Sequence, residues 1–201
     1  LNNDSIDIDG CNYVIIKSYK IDSSDDALVL KSEGERACEN VTITNCILSS
    51  HATPLKFGTS SVGGFKNITI SNIVIKPSKS KEMHHVLEAW NGLSGIDILC
   101  VDGGTIENVT ISNITMDGVE TPLFIKLGNR NSAWEGKTEF EKSTIRNMRI
   151  SNITATNTGR ITSSITGYEG QNVENVTLSD IRFESIPYEG NLDPELEIDE
   201  R

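Results

Sequence analysis

The chain has 201 residues and a mass of 22.0 kDa, enough for one domain whose core needs neither disulfides nor metals to fold. Its 18 Lys and Arg stand against 29 Asp and Glu, a net charge of −11, which excludes nucleic acid and anionic membrane surfaces as expected partners. No apolar run approaches the roughly 20 residues of a membrane span, so no membrane insertion is expected.

Hydrophobic residues make up 36% of the chain and aromatics 5%, and recurring Ile, Thr, Ser, Asn and Gly suit many short strands and turns better than helices. In chain order the first expected strand is SIDIDG at 5–10, followed by YVIIKSY from Tyr13 and ALVLKS at 27–32. Next come NVTITNC from Asn40, PLKFGTS at 54–60, NITISNI from Asn67 and GIDILCV at 95–101. NVTISNI from Asn108, PLFIKLG at 122–128, NMRISNI from Asn147, SSITG at 163–167 and NVTLSDI from Asn175 complete the series. One phrase therefore recurs, with starts separated by 27, 27, 41, 39 and 28 residues, and such a period signals a solenoid.

Within each copy the second and fourth positions are aliphatic, as in Val41 and Ile43 or Ile68 and Ile70. Period-two alternation puts one face in and one out, and stacking copies at about 4.8 Å builds an interior ladder. The leucine-rich repeat pattern is absent, and helical repeats fail on the β-branched content. The expectation is an all-β, right-handed parallel β-helix, a single domain over 1–201. The usual Asn at the sixth position is expected to turn the chain and bond to the neighbouring backbone. Asn-X-Thr sequons at Asn40, Asn67, Asn108, Asn113, Asn152 and Asn175 are read as by-products of the repeat rather than as glycan acceptors. The two longest repeats carry insertions with Trp90 and Trp134, read either as sugar platforms or as loop packing.

Cys11, Cys38, Cys46 and Cys100 form no CxxC pair and no zinc-ligand spacing with the three histidines, so no metal site is expected. Cys46 fills a repeat position held elsewhere by Ile73, Ile114, Ile153 and Ile181, which points to a buried free thiol. The chain starts at Leu1 without basic and apolar leader regions. It is read as an excerpt of a longer protein, lacking N-terminal coils and a targeting segment.

Asp4 precedes Asp25 by 21 residues, close to one coil, so Asp4, Asp25 and Asp26 are expected to converge on one surface patch. Glycoside hydrolysis needs a proton donor and a water-activating base, an inverting pair standing roughly 6.5–9.5 Å apart. Exposed strand caps are the simpler reading of such an Asp pair. The run NNDSIDIDGCNYVIIKSYKIDSSDDALVLKS, with Asn2, Asn3, Asp4 and Ser24, Asp25, Asp26 one coil apart, and the segments NVTITNC, KFGTSSVGG, NVTISNITMDGV and PLFIKLG resemble glycoside hydrolase family 28, the polygalacturonases. The resemblance implies a pectin-lyase-like β-helix and inverting hydrolysis of a plant cell-wall polysaccharide, with Asp25 as general acid and Asp4 and Asp26 activating water. It implies no cofactor, a monomer in the full-length form, and a secreted or periplasmic location.

This sequence departs from the family pattern at three places, the first being Ala27, where many fungal relatives carry a cysteine after the Asp-Asp pair. Where the family carries a Gly-His-Gly motif, Thr53 takes the histidine position and His51 lies two residues earlier. Where it carries Arg-Ile-Lys, the residues here are Ile96, Asp97, Ile98 and Leu99. Lys56, Lys126 and Arg130 are candidate substitute cations, with His51 as a further substrate-binding residue. Missing cations favour a branched, decorated or neutral pectic substrate. The alternatives are a polysaccharide lyase, which would need Ca²⁺ carboxylates or an Arg or Lys base, and a non-catalytic β-helix, which would carry the repeat without the Asp motifs.

Overall fold

The computed structural model describes residues 3–78, 93–132, 138–159 and 161–187. Asn2, Trp90 and Trp134, singled out above, lie outside the described residues. Thirteen strands follow one another without a helix among the described residues: β1 Ile6–Asp9, β2 Asn12–Lys17, β3 Lys20–Ser23, β4 Leu28–Ser32, β5 Cys38–Ser50, β6 Leu55–Ser61, β7 Phe65–Pro77, β8 Ser94–Cys100, β9 Thr105–Asp117, β10 Thr121–Leu127, β11 Thr144–Thr158, β12 Ser164–Thr166 and β13 Val173–Ser185.

These strands alternate between two parallel sheets. The first has the order β1-β4-β6-β8-β10-β12, and the second runs β13-β11-β9-β7-β5-β2, with β3 also paired to β5. Each return to a sheet lies one rung further along, the arrangement of a right-handed parallel β-helix. All six expected short strands fall in the first sheet, and the repeated phrases fall in the second. Strand β3 was not anticipated from the sequence. It pairs with the second half of β5, Lys20 opposite Ile47 and Ser23 opposite Ser50.

Register follows the aliphatic ladder. Val14, Val41, Ile68, Val109, Met148 and Val176 are in line, as are Ile16, Ile43, Ile70, Ile111, Ile150 and Leu178. From β5 to β11 these residues are almost wholly buried, so this sheet lines the interior with stacked aliphatic side chains. The phrase's seventh position is equally buried, and Cys46 lies there as a free thiol between Thr44 and the core.

The long strands stay continuous because they bend at two residues with left-handed backbone, five positions apart. Asn40 and Asn45, Asn67 and Asn72, Asn108 and Asn113, and Asn147 and Asn152 all have φ between 53 and 58°, a region that Asn tolerates better than other non-glycine residues. The expected bond to the neighbouring backbone is replaced by side-chain ladders. Asn67 Nδ2 donates to Asn40 Oδ1 at 3.0 Å and Asn108 Nδ2 to Asn67 Oδ1 at 3.1 Å, while Asn72, Asn113 and Asn152 form a second column. A shared bend conformation stacks the amides at the rung spacing, so each carboxamide meets its equivalent. These bonds give the sequon asparagines a structural use.

Candidate active site

The first sheet begins each rung at the same edge, and the three carboxylates collect there. Asn3 and Asp4 lead into β1, and Asp25 and Asp26 lead into β4. The rungs are joined by Asp25 N–H to Asn3 O at 3.3 Å and Ser5 N–H to Asp26 O at 3.1 Å. The coil length is what brings Asp4 level with Asp26, whose N–H donates to Asp4 Oδ1 at 3.3 Å. One carboxylate oxygen from each of Asp4, Asp25 and Asp26 lies within 4.8 Å of the other two. This is tighter than the roughly 6.5–9.5 Å expected of an inverting pair. In-register rungs stand only about 4.8 Å apart, and Asp25 and Asp26 are sequence neighbours, so the groups converge instead of facing each other across a gap.

Two ammonium groups hold the cluster. Lys31 Nζ, on the outward face of β4, lies 2.8 Å from Asp4 Oδ2 and 2.8 Å from Asp7 Oδ2. Lys56 Nζ, on β6, lies 3.1 Å from Asp26 Oδ2. Asp26 Oδ1 accepts the Thr53 N–H at 2.9 Å. Burial pushes the Asp26 carboxyl up to about 6; Lys56 opposes this shift, while Asp25 and Asp4 add to it. At neutral pH Asp26 is mostly charged, and slightly acid conditions protonate it.

Thr53 extends the network to the next rung. Its hydroxyl donates to Asp97 Oδ2 at 2.8 Å, and Ser94 Oγ donates to Asp97 Oδ1. Asp97 is 1% exposed and pairs in register with Lys56 across β6 and β8. The histidine position of the family is thus a buried threonine, and the position of its cations is a buried carboxylate. His51 lies in the turn one rung above Asp25, where Ser50 Oγ donates to the Asp25 carbonyl and the Ala52 N–H to Ser50 Oγ.

The other candidates fare differently. Lys126 is half-buried on β10, in register with Leu99, well along the same outward face. Arg130 is not brought to the carboxylates. It follows the opposite end of the strands, where its guanidinium makes two bonds to Asp102. The Asp102 side chain is 0% exposed and also accepts the N–H groups of Ser61 and Ser132. A wholly buried carboxylate captures the nearest guanidinium, which gives Arg130 a structural job. Sequence reasoning missed Lys31, Asp97 and Ser94. Strand alternation puts Lys31 and Asp97 outward, but neither belongs to the repeated phrase.

This set can move a proton and hold water. As a cage for a hard cation it fits poorly, because Asp4 and Asp26 already share their oxygens with ammonium and amide donors.

The profile described as glycosyl hydrolases family 28 matches residues 1–192. No curated protein matches the chain. Among solved structures it is similar to a hyperthermoactive exopolygalacturonase from Thermotoga maritima, with a TM-score of 0.67 and 20% identity over 90% of this chain. The match spans only 40% of that protein's length.

Proposed function

The chain belongs to glycosyl hydrolases family 28, and on that premise we propose that it carries the catalytic coils of a hydrolase cutting a pectic or related plant polysaccharide with inversion. The carrying observation is the convergence of Asp4, Asp25 and Asp26 within 4.8 Å at one edge of the first sheet. Asp25 donates its proton to the leaving oxygen, and Asp4 and Asp26 orient and deprotonate the attacking water. Both oxygens of Asp4 and of Asp26 already accept a hydrogen bond or an ammonium contact. Carboxylates held in this way suit water activation better than covalent attack, which supports inversion despite the short spacing. Polymer of this kind stays outside cells, so the reading makes the protein secreted or periplasmic, acting as a monomer.

The reading is tested by the pH dependence of reducing-end release from pectic polymers, using the complete protein. Asp26 as base must be ionised, so kcat/KM falls as pH drops through about 6. Lys56 lowers the Asp26 pKa; replacing it in Lys56→Met removes that pull, and the acid limb moves to higher pH. The absence of an acid limb near pH 6, or a limb unmoved by Lys56→Met, contradicts the base role.

A further inference from the structure

The contacts of Lys31 run against its register. On β4 it pairs with Asp9 of β1, and opposite charges facing each other on one sheet surface attract. The Asp9 carboxylate instead accepts the Glu33 N–H at 3.0 Å. Lys31 reaches back past it, placing Nζ 2.8 Å from Asp7 Oδ2 and 2.8 Å from Asp4 Oδ2. Its ammonium therefore lies at the start of the rung, at the edge where the three carboxylates collect.

This contact differs from a surface ion pair, which contributes little because two long, exposed side chains must be held in one geometry. The Lys31 and Asp4 side chains are only 21% and 18% exposed, while Asp7 at the rim is 42% exposed. Burial lowers the Lys31 pKa, but the bonds to Asp4 and Asp7 outweigh it and hold the group well above the ordinary lysine value, so it stays an ammonium at neutral and mildly acid pH. Asp4 is thereby fixed at both oxygens: Oδ1 accepts the Asp26 N–H at 3.3 Å, and Oδ2 accepts the ammonium. An ionised carboxylate has about four lone-pair sites, so this clamp sets the plane of Asp4 and still leaves room on each oxygen for water.

Resting on the hydrolase reading above, we infer that Lys31 is a positioning residue for hydrolysis: anchored on Asp7, it fixes the Asp4 carboxylate beside Asp26 so that the two orient one water. It acts through Asp4 rather than by contact with the sugar. The clamp matters because misplacing a reacting group by about 1 Å costs up to about 10²-fold in rate.

The test measures kcat and KM of Lys31→Met on polygalacturonate or its methyl-esterified form, whichever the complete wild-type protein cleaves faster, with thermal melting followed alongside. The expected result is a kcat lowered by about 10- to 100-fold with KM within about twofold, on a protein that still melts cooperatively. Lys31→Arg keeps a cation within reach of both carboxylates and is expected to recover most of the lost kcat. Should Lys31→Met fail to fold, Lys31→Gln, which keeps a polar tip without the charge, carries the same expectation. Unchanged kcat overturns this inference and leaves the hydrolase reading standing. A raised KM at unchanged kcat overturns it too, since Lys31 would then be a substrate contact. Cleavage of neither polymer by the wild-type protein overturns both.

Discussion

Asp25→Asn is expected to lower kcat on a pectic polymer by about 10²- to 10⁴-fold while leaving oligosaccharide affinity within a few-fold. The amide is isosteric with the carboxyl but cannot deliver an acid proton to the leaving oxygen. The backbone around Asp25 is fixed independently of its side chain, by the Asp25 N–H on Asn3 O and the Ser50 hydroxyl on the Asp25 carbonyl, so the variant keeps its fold and its place in the cluster. Steady-state kinetics together with calorimetric binding separates the two effects. Near-normal turnover would remove Asp25 from the acid role, and loss of binding with unchanged kcat would make it a substrate contact instead.

Arg130→Met is expected to destabilise the protein by about 3 kcal/mol while leaving KM and kcat of the folded enzyme unchanged. The Asp102 side chain is 0% exposed, and without the guanidinium its buried charge keeps, among the described residues, the Ser61 and Ser132 N–H donors. Denaturant titration checks the stability, and kinetics on the folded fraction checks the site. A raised KM with unaltered stability would restore the substrate-binding role expected of Arg130 from the sequence.

The architecture was legible because a solenoid writes its period into the chain. Val41, Ile68 and Val109 recur at one position of a repeated phrase, and they stack in register. The carboxylate patch was legible for the same reason, since the 22 residues separating Asp4 from Asp26 are close to one coil. What could not be read was pairing outside the repeat. Lys31, next to the end of its strand, looks like a solvated cation until the pairing of β1 with β4 sets it opposite Asp9 and its ammonium reaches back to Asp7 and Asp4. Arg130 appeared available to substrate because Asp102, in the turn after β8, belongs to no repeated position. Strand β3 was hidden because Lys20–Ser23 is short and polar, and only its pairing with β5 makes it a strand. Asn72 and its counterparts at the sixth position were correctly read as bends, whereas the first-position bends at Asn67 and its counterparts were not anticipated, and the amide ladders depend on all rungs sharing one bend geometry, which no single copy reveals.

The central claim is that Asp4 and Asp26 deliver water to the sugar while Asp25 protonates the leaving oxygen. Proton NMR of the first product released by the complete protein, recorded before mutarotation, tests it most directly. The account predicts that the new reducing end first appears as the anomer opposite to the bond cleaved. First appearance of the same anomer would mean a covalent glycosyl intermediate, and would contradict the assignment of Asp4 and Asp26 to water.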